Sequence, residues 1–151
     1  MRSIRKAKKE EANCLSEIAF KSEAYWGYDE NYMKSFRSNY RVTEEFISNN
    51  PAYIIEDDEI ILGFYSFMVN DRTASLEYFY IEPSSIGHGY GKLLWNHMIN
   101  MCKKKGIEKV ELVTSPQAEE FYIKMGARTV GQVESIVMKG RKIPKLIFDI
   151  I

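Results

Sequence analysis

Apolar residues recur along this chain at two spacings, every second position in some stretches and every third or fourth in others, and the changeovers mark its elements. "RSIRKA" reads as a short first strand. From about Glu10 to Ser22 the period lengthens, placing Cys14, Leu15, Ile18 and Ala19 on one helical face. "EAYWGYD" interrupts that pattern, "ENYMKSFRSN" predicts a second helix, and "TEEFISNN" a third short turn. "AYIIED" and "IILGFYSFMVN", joined at the acidic turn "DDE", have the pattern of an antiparallel hairpin.

In "ASLEYFYIE" both alternate sets are largely apolar, Leu76, Tyr78 and Tyr80 on one side and Glu77, Phe79 and Ile81 on the other. A central strand covered on both faces has this signature. After three glycines the period returns to helical through Leu94, Trp95, Met98, Ile99, Met101 and Cys102, and it ends at Lys103, Lys104, Lys105 and Gly106. Cations there favour the negative end of the helix dipole and the glycine supplies a permissive cap, so the lysine run marks a helix terminus rather than a nucleic-acid patch. "KVELVTS" is a strand, "PQAEEFYIKMG" a short helix opened by proline and closed by glycine, and "ARTVGQVES" and "IPKLIFDI" are two final strands. Helices set between strands, with hairpins in the middle and at the end, predict a mixed α/β sheet.

Composition narrows the field. With 151 residues, 45% of them hydrophobic, and no repeat or linker-like tract, the expected organisation is a single domain over 1–151. Twenty-one basic residues balance twenty-one acidic ones, so no global field draws the protein to nucleic acid or an anionic membrane. No long apolar run and no signal-like N-terminus are present, which makes the cytoplasm the expected location. Cys14 and Cys102 lack metal-ligand spacing and read as reduced packing residues, and His88 and His97 lack the HExxH pattern, so no metal is expected.

The chemistry concentrates in "YFYIEPSSIGHGYGKLLW". A P-loop needs a Ser or Thr after its Gly-Lys, and here Leu93 follows Gly91 and Lys92. A dinucleotide fingerprint needs GxGxxG in an early βαβ unit, whereas Gly87, Gly89 and Gly91 alternate past mid-chain. What remains is a strand, a tight glycine turn and a helix N-terminus, whose converging backbone N–H groups suit a diphosphate without obligatory magnesium. The plain alternative is a glycine turn that binds nothing.

On these residues the chain resembles the GNAT superfamily of N-acetyltransferases. "YIEPSSIGHGYGKLL" is similar to that family's strand, acyl-CoA loop and helix, "SPQAEEFYIKMGA" to its second CoA-contacting helix, and the element order to its fold. The resemblance implies a mixed, mostly antiparallel sheet of about seven strands, flanked by about four helices and splayed between strands 4 and 5. It implies acetyl-CoA as cosubstrate, no metal, and an amine of a small molecule or peptide as acceptor; dimers are common in the family, so a homodimer is compatible with it.

Carried over residue by residue, the family's Q/R-x-x-G-x-G/A pattern falls on Ile86, Gly87, His88, Gly89, Tyr90 and Gly91, with the amides of His88 through Lys92 on the pyrophosphate. Ile86 departs from the usual Gln or Arg, which leaves the backbone donors intact and removes one polar side chain. The resemblance places the pantetheine arm along the main chain of Phe79, Tyr80 and Ile81, with an amide near Phe79 polarising the thioester carbonyl. It aligns Ser115, Ala118 and Tyr122 with N-x-x-A-x-x-x-Y, making Tyr122 the proton donor to the leaving thiolate; Ser115 stands in the asparagine position.

An attacking amine must lose a proton, and Glu77, a lone strand carboxylate whose pKa burial would raise, is the expected base. A solvated strand glutamate is the equal alternative, and Ser75 occupies a position where other members carry an acid. Tyr25, Trp26 and Tyr28 beside Glu23, Asp29 and Glu30 would wall an amine-binding site, unless the aromatics only pack the helical layer. The rival function is a non-catalytic acyl-CoA-binding or sensing module.

Overall fold

The computed structural model describes all residues, 1–151. Seven strands form one sheet: β1 (Arg2–Lys6), β2 (Ala52–Asp57), β3 (Ile60–Asn70), β4 (Thr73–Ile81), β5 (Lys109–Val113), β6 (Arg128–Glu134) and β7 (Lys142–Asp149). Five helices flank it: α1 (Ala12–Ala24), α2 (Glu30–Asn39), α3 (Glu44–Asn49), α4 (Tyr90–Lys104) and α5 (Glu119–Lys124). That is one more than the expected four, because "TEEFISNN" closes into a true helix once the Thr43 hydroxyl accepts from the Phe46 amide (3.0 Å). The first helix starts at Ala12 rather than Glu10, a 3-10 turn over Lys9–Glu11 taking its first residues, and runs on to Ala24.

The strand order is β1-β2-β3-β4-β5-β7-β6. Every pair is antiparallel except β4 with β5. The parallel pair holds over only three positions, Thr73 with Lys109 to Ser75 with Glu111. Beyond Ser75 the two strands part, so from Leu76 to Ile81 the edge of β4 facing β5 has no strand partner.

A β-bulge corrects the sequence reading of β4. Ser66 faces Tyr78 while Phe67 faces Leu76, which leaves Glu77 as the extra residue. The bulge inverts the alternation, since a one-residue slip moves side chains to the opposite face. Leu76 therefore joins Phe79 and Ile81 on the side covered by α4 and α5, while Tyr78 and Tyr80 face the helices α1 to α3. Glu77 belongs to neither core.

Each face has its own buried cluster. On the first, Trp95 is 2% exposed and meets Phe79, Tyr122 and Phe148 edge-on at 6.2, 5.7 and 5.4 Å between ring centroids. On the second, Leu15, Ala19 and Phe36 pack on Ile54, Phe64 and Tyr78. Trp95 thereby fixes both the strand and the tyrosine that line the opening between β4 and β5. No helix is long and apolar enough to cross a membrane.

Candidate active site

The divergence of β4 from β5 opens a cleft of about 610 Å³. Its walls come from β4, β5, the ends of α1 and α2, the approach to α5, and the turn between β6 and β7.

One end of the cleft meets the start of α4. Gly89 is the N-cap residue, at φ +82°, and no side chain caps the helix. By contrast α2 and α3 are capped by Asp29 and Thr43, which accept from the amides of Tyr32 and Phe46. The first amides of a 15-residue helix are thus left for another acceptor, at the positive end of its dipole. Gly87 is also left-handed, at φ +91°, and a Cβ at either glycine would meet nothing within 4 Å. These two residues are small for their backbone angles, and the space beside them is open. Gly91 differs: a Cβ there would come within 3.0 Å of the Phe121 ring, so this glycine allows α5 to approach α4.

These features fit coenzyme A. An uncapped N-terminus with left-handed glycines suits a pyrophosphate, and an unpaired strand edge can pair an amide-bearing arm. Ile86, Gly91, Ser115 and Ala118 share the cleft wall with Phe79, Tyr80 and Ile81, while Gly87, His88, Gly89, Tyr90 and Lys92 do not line it and lie beside Ile86 and Gly91 at the start of α4. No cluster of His, Cys, Asp or Glu is arranged to hold a metal ion.

Tyr122 lies on α5 with its side chain walled by Phe79, Trp95 and Phe121. Burial raises the phenol pKa, opposed by Thr114, so the group is protonated throughout the neutral range.

Two carboxylates on the wall trade the properties that the sequence suggested. Glu77 is exposed, the solvated of the two alternatives and not the buried one, because the bulge takes it out of both cores; it accepts a hydrogen bond from Ser75 (2.8 Å). Glu23, on the last turn of α1, is the buried one. It is 8% exposed and accepts from the Tyr32 hydroxyl at 2.6 Å. Burial raises its pKa, with the Tyr32 hydrogen bond and the Arg141 charge opposing.

A carboxyl group whose folded-state pKa is raised binds more protons folded than unfolded, so its contribution to stability is present at low pH and falls as pH rises through the folded value. Starting from its usual 4.5, the loss from Glu23 begins there and grows toward neutrality. Glu23→Gln, which cannot ionise, is therefore expected to gain Tm relative to the wild type as pH is raised from 4 to 7. A difference in Tm that stays constant over this range would show that Glu23 carries no such shift.

The aromatic wall is partly displaced from the sequence expectation. Trp26 lines the cleft. Tyr25, 56% exposed, does not; it lies in the turn ending α1 and packs edge-on against Trp26. Tyr28 contacts two lining residues, donating to Gln117 (3.1 Å) and accepting from Arg141 (2.7 Å). The residues missed are Tyr32, Phe36 and Tyr40, whose spacing of four along α2 and its C-terminal cap puts them on one side, and Arg141, which no local pattern announces.

The acetyltransferase (GNAT) family model matches residues 16–127, and the chain belongs to this family. Membership makes it a transferase with acetyl-CoA as cosubstrate. Three solved structures carry the same fold. The PaiA N-acetyltransferase of Thermoplasma acidophilum, in complex with coenzyme A, is 22% identical with a TM-score of 0.83, over 99% of both chains. The ribosomal-protein-S18-alanine N-acetyltransferase of Escherichia coli is 16% identical with a TM-score of 0.74, over 99% of this chain and 94% of its own. The N-acetylglutamate synthase of Neisseria gonorrhoeae, complexed with coenzyme A and N-acetyl-glutamate, is 16% identical with a TM-score of 0.73, over all of this chain and 35% of its own. No curated protein sequence matches the chain.

Proposed function

We propose that the protein is an N-acetyltransferase that moves the acetyl group of acetyl-CoA directly to a primary amine of a small molecule or peptide, in the cytoplasm. The observation that carries this reading is one cleft with two chemically different ends: an uncapped helix start, an open strand edge and a buried phenol on one side, and aromatic rings with carboxylates on the other. Three carboxylates and one guanidinium line it, Glu23, Glu77, Glu134 and Arg141, a balance that favours a cationic amine.

Acetyl-CoA supplies an activated thioester, and the chain supplies placement and proton handling. Backbone amides of His88 through Lys92 hold the pyrophosphate. The main chain of Phe79, Tyr80 and Ile81 aligns the arm, with an amide near Phe79 stabilising charge on the carbonyl oxygen. Tyr122 gives its proton to the departing sulfur, and Ser115 and Ala118 hold the turn that presents α5. For an amine of pKa near 10.4, deprotonation at pH 7 costs about 4 to 5 kcal/mol. Glu77, at the bulge beside the attack point, is proposed to take that proton.

The test is thiol release from acetyl-CoA with a panel of amines. Sustained release that requires an amine is expected, slowed about 10²-fold in Glu77→Gln. Stoichiometric binding with no acceptor-dependent release would replace this reading with that of an acyl-CoA-binding module. Full activity in Glu77→Gln would remove that residue from the proton path.

A further inference from the structure

Arg141 supplies the cleft's one guanidinium and the cavity's one cationic side chain. It ends the turn between β6 and β7, which crosses toward α2. Its guanidinium carbon stands 4.9 Å from the ring centroid of Tyr28 and 5.4 Å from that of Tyr32, and these two rings stack at 3.9 Å. One nitrogen donates to the Tyr28 hydroxyl at 2.7 Å, and that hydroxyl donates onward to Gln117 Oε1. None of the molecule's ion pairs includes Arg141, although three carboxylates line the same cleft.

Arg5 shows what a guanidinium committed to structure looks like here. It is held by Glu11 and Glu56 together, through contacts of 2.7 to 3.3 Å. Arg141 instead lines the cleft with no carboxylate bound to it: its hydrogen bond goes to the neutral Tyr28 hydroxyl, and its guanidinium lies beside two aromatic rings, so the fork keeps donors for a further acceptor. Glu23 is the complementary case, a buried carboxylate whose partner is a neutral phenol, Tyr32. The cleft thus keeps a positive and a negative group apart, with the Tyr28 and Tyr32 rings beside them. Gln117 ties this arrangement to the turn that leads to Tyr122.

We propose that Arg141, braced by Tyr28 and Tyr32, is a carboxylate-binding subsite, and that the acceptor is an amine that also bears a carboxylate, such as an amino acid. The inference rests on the N-acetyltransferase reading and narrows its substrate class. A planar guanidinium presents paired donors that match a carboxylate in two hydrogen bonds. An amino acid suits this mixed lining, its carboxylate on the one guanidinium and its amine among the three carboxylates, whereas a phosphate dianion would meet the same three carboxylates with a single cation to offset it. The acceptor lies with its carboxylate on Arg141 and its amine toward Glu77 and the open edge of β4.

The experiment compares kcat/KM for amino acids of increasing chain length with their carboxamides and their decarboxylated amines, by thiol release from acetyl-CoA. At the favoured length the acid is expected to exceed both neutral forms by about 10- to 100-fold, the worth of hydrogen bonds to a charged group. Arg141→Met is expected to erase that preference, bringing the ratio of kcat/KM for the acid to that for its carboxamide down to about 1 whatever the variant's absolute rate. Arg141→Lys, which keeps the charge without the fork, should recover part of it. A carboxamide or simple amine used as well as the acid at every length overturns the inference and leaves N-acetyl transfer standing. So does a preference that survives Arg141→Met. Should that variant fail to fold, the wild-type series and Arg141→Lys decide alone. Turnover of no amine overturns this inference and the function it rests on together.

Discussion

Replacing Tyr122 by phenylalanine lowers kcat by about 10²-fold or more, while the dissociation constant for acetyl-CoA stays within about 2-fold of wild type. The hydroxyl is the single group lost. The ring that packs against Trp95 and Phe79 remains, so stability and the shape of the cleft are preserved. Burial keeps the phenol protonated, which is the state required of a donor. The loss therefore falls on turnover and not on donor binding, the pattern of an interaction made in the transition state. Steady-state kinetics with calorimetry on the same preparation checks it; unchanged kcat would remove Tyr122 from the chemistry.

The second large effect is expected at Gly89. Its φ of +82° is one that a β-branched side chain adopts only with strain. Gly89→Val costs about 1 to 2 kcal/mol if the conformation is held. If the backbone relaxes instead, the amides at the start of α4 turn away from their acceptor. Losing two hydrogen bonds to a charged group at roughly 1.5 to 3 kcal/mol each weakens donor binding by about 10²- to 10⁴-fold. The Tm should fall by only a few degrees, because nothing lies within 4 Å of the added Cβ and the core is untouched. Donor affinity equal to wild type would show that the loop holds no phosphate.

Why some features were legible and others were not follows from where their causes lie. The glycine turn and α4 are contiguous, and their backbone angles follow from residue type, so "IGHGYGKLLW" exposed them directly. Hairpin strands were equally local. The bulge at Glu77 is a property of two strands, set by how Ser66 and Phe67 pair with Tyr78 and Leu76. In a strand apolar on both faces no break in alternation reveals it, which is why the sequence left Glu77 open between a buried and a solvated position.

Glu23 was visible only as one acid among several beside the aromatics, since its burial depends on α2 closing over it with Tyr32. The face made by Tyr32, Phe36 and Tyr40 did carry a signal in its spacing of four. Arg141 carried none. Its place is fixed by β7 inserting between β5 and β6, which brings a turn 113 residues distant in sequence onto Tyr28. Tyr25 illustrates the reverse error: an aromatic in the right segment, turned outward by the end of α1.

Calorimetric titration of the wild-type protein with coenzyme A, set beside pantetheine, which has the same arm and thiol but no pyrophosphate, addresses the helix start most directly. If the main-chain amides around Gly89 hold the pyrophosphate, coenzyme A binds at least about 10³-fold more tightly than pantetheine, as several hydrogen bonds to a charged group require. Equal affinities, or no heat from coenzyme A, would mean that the open amides of α4 serve something else.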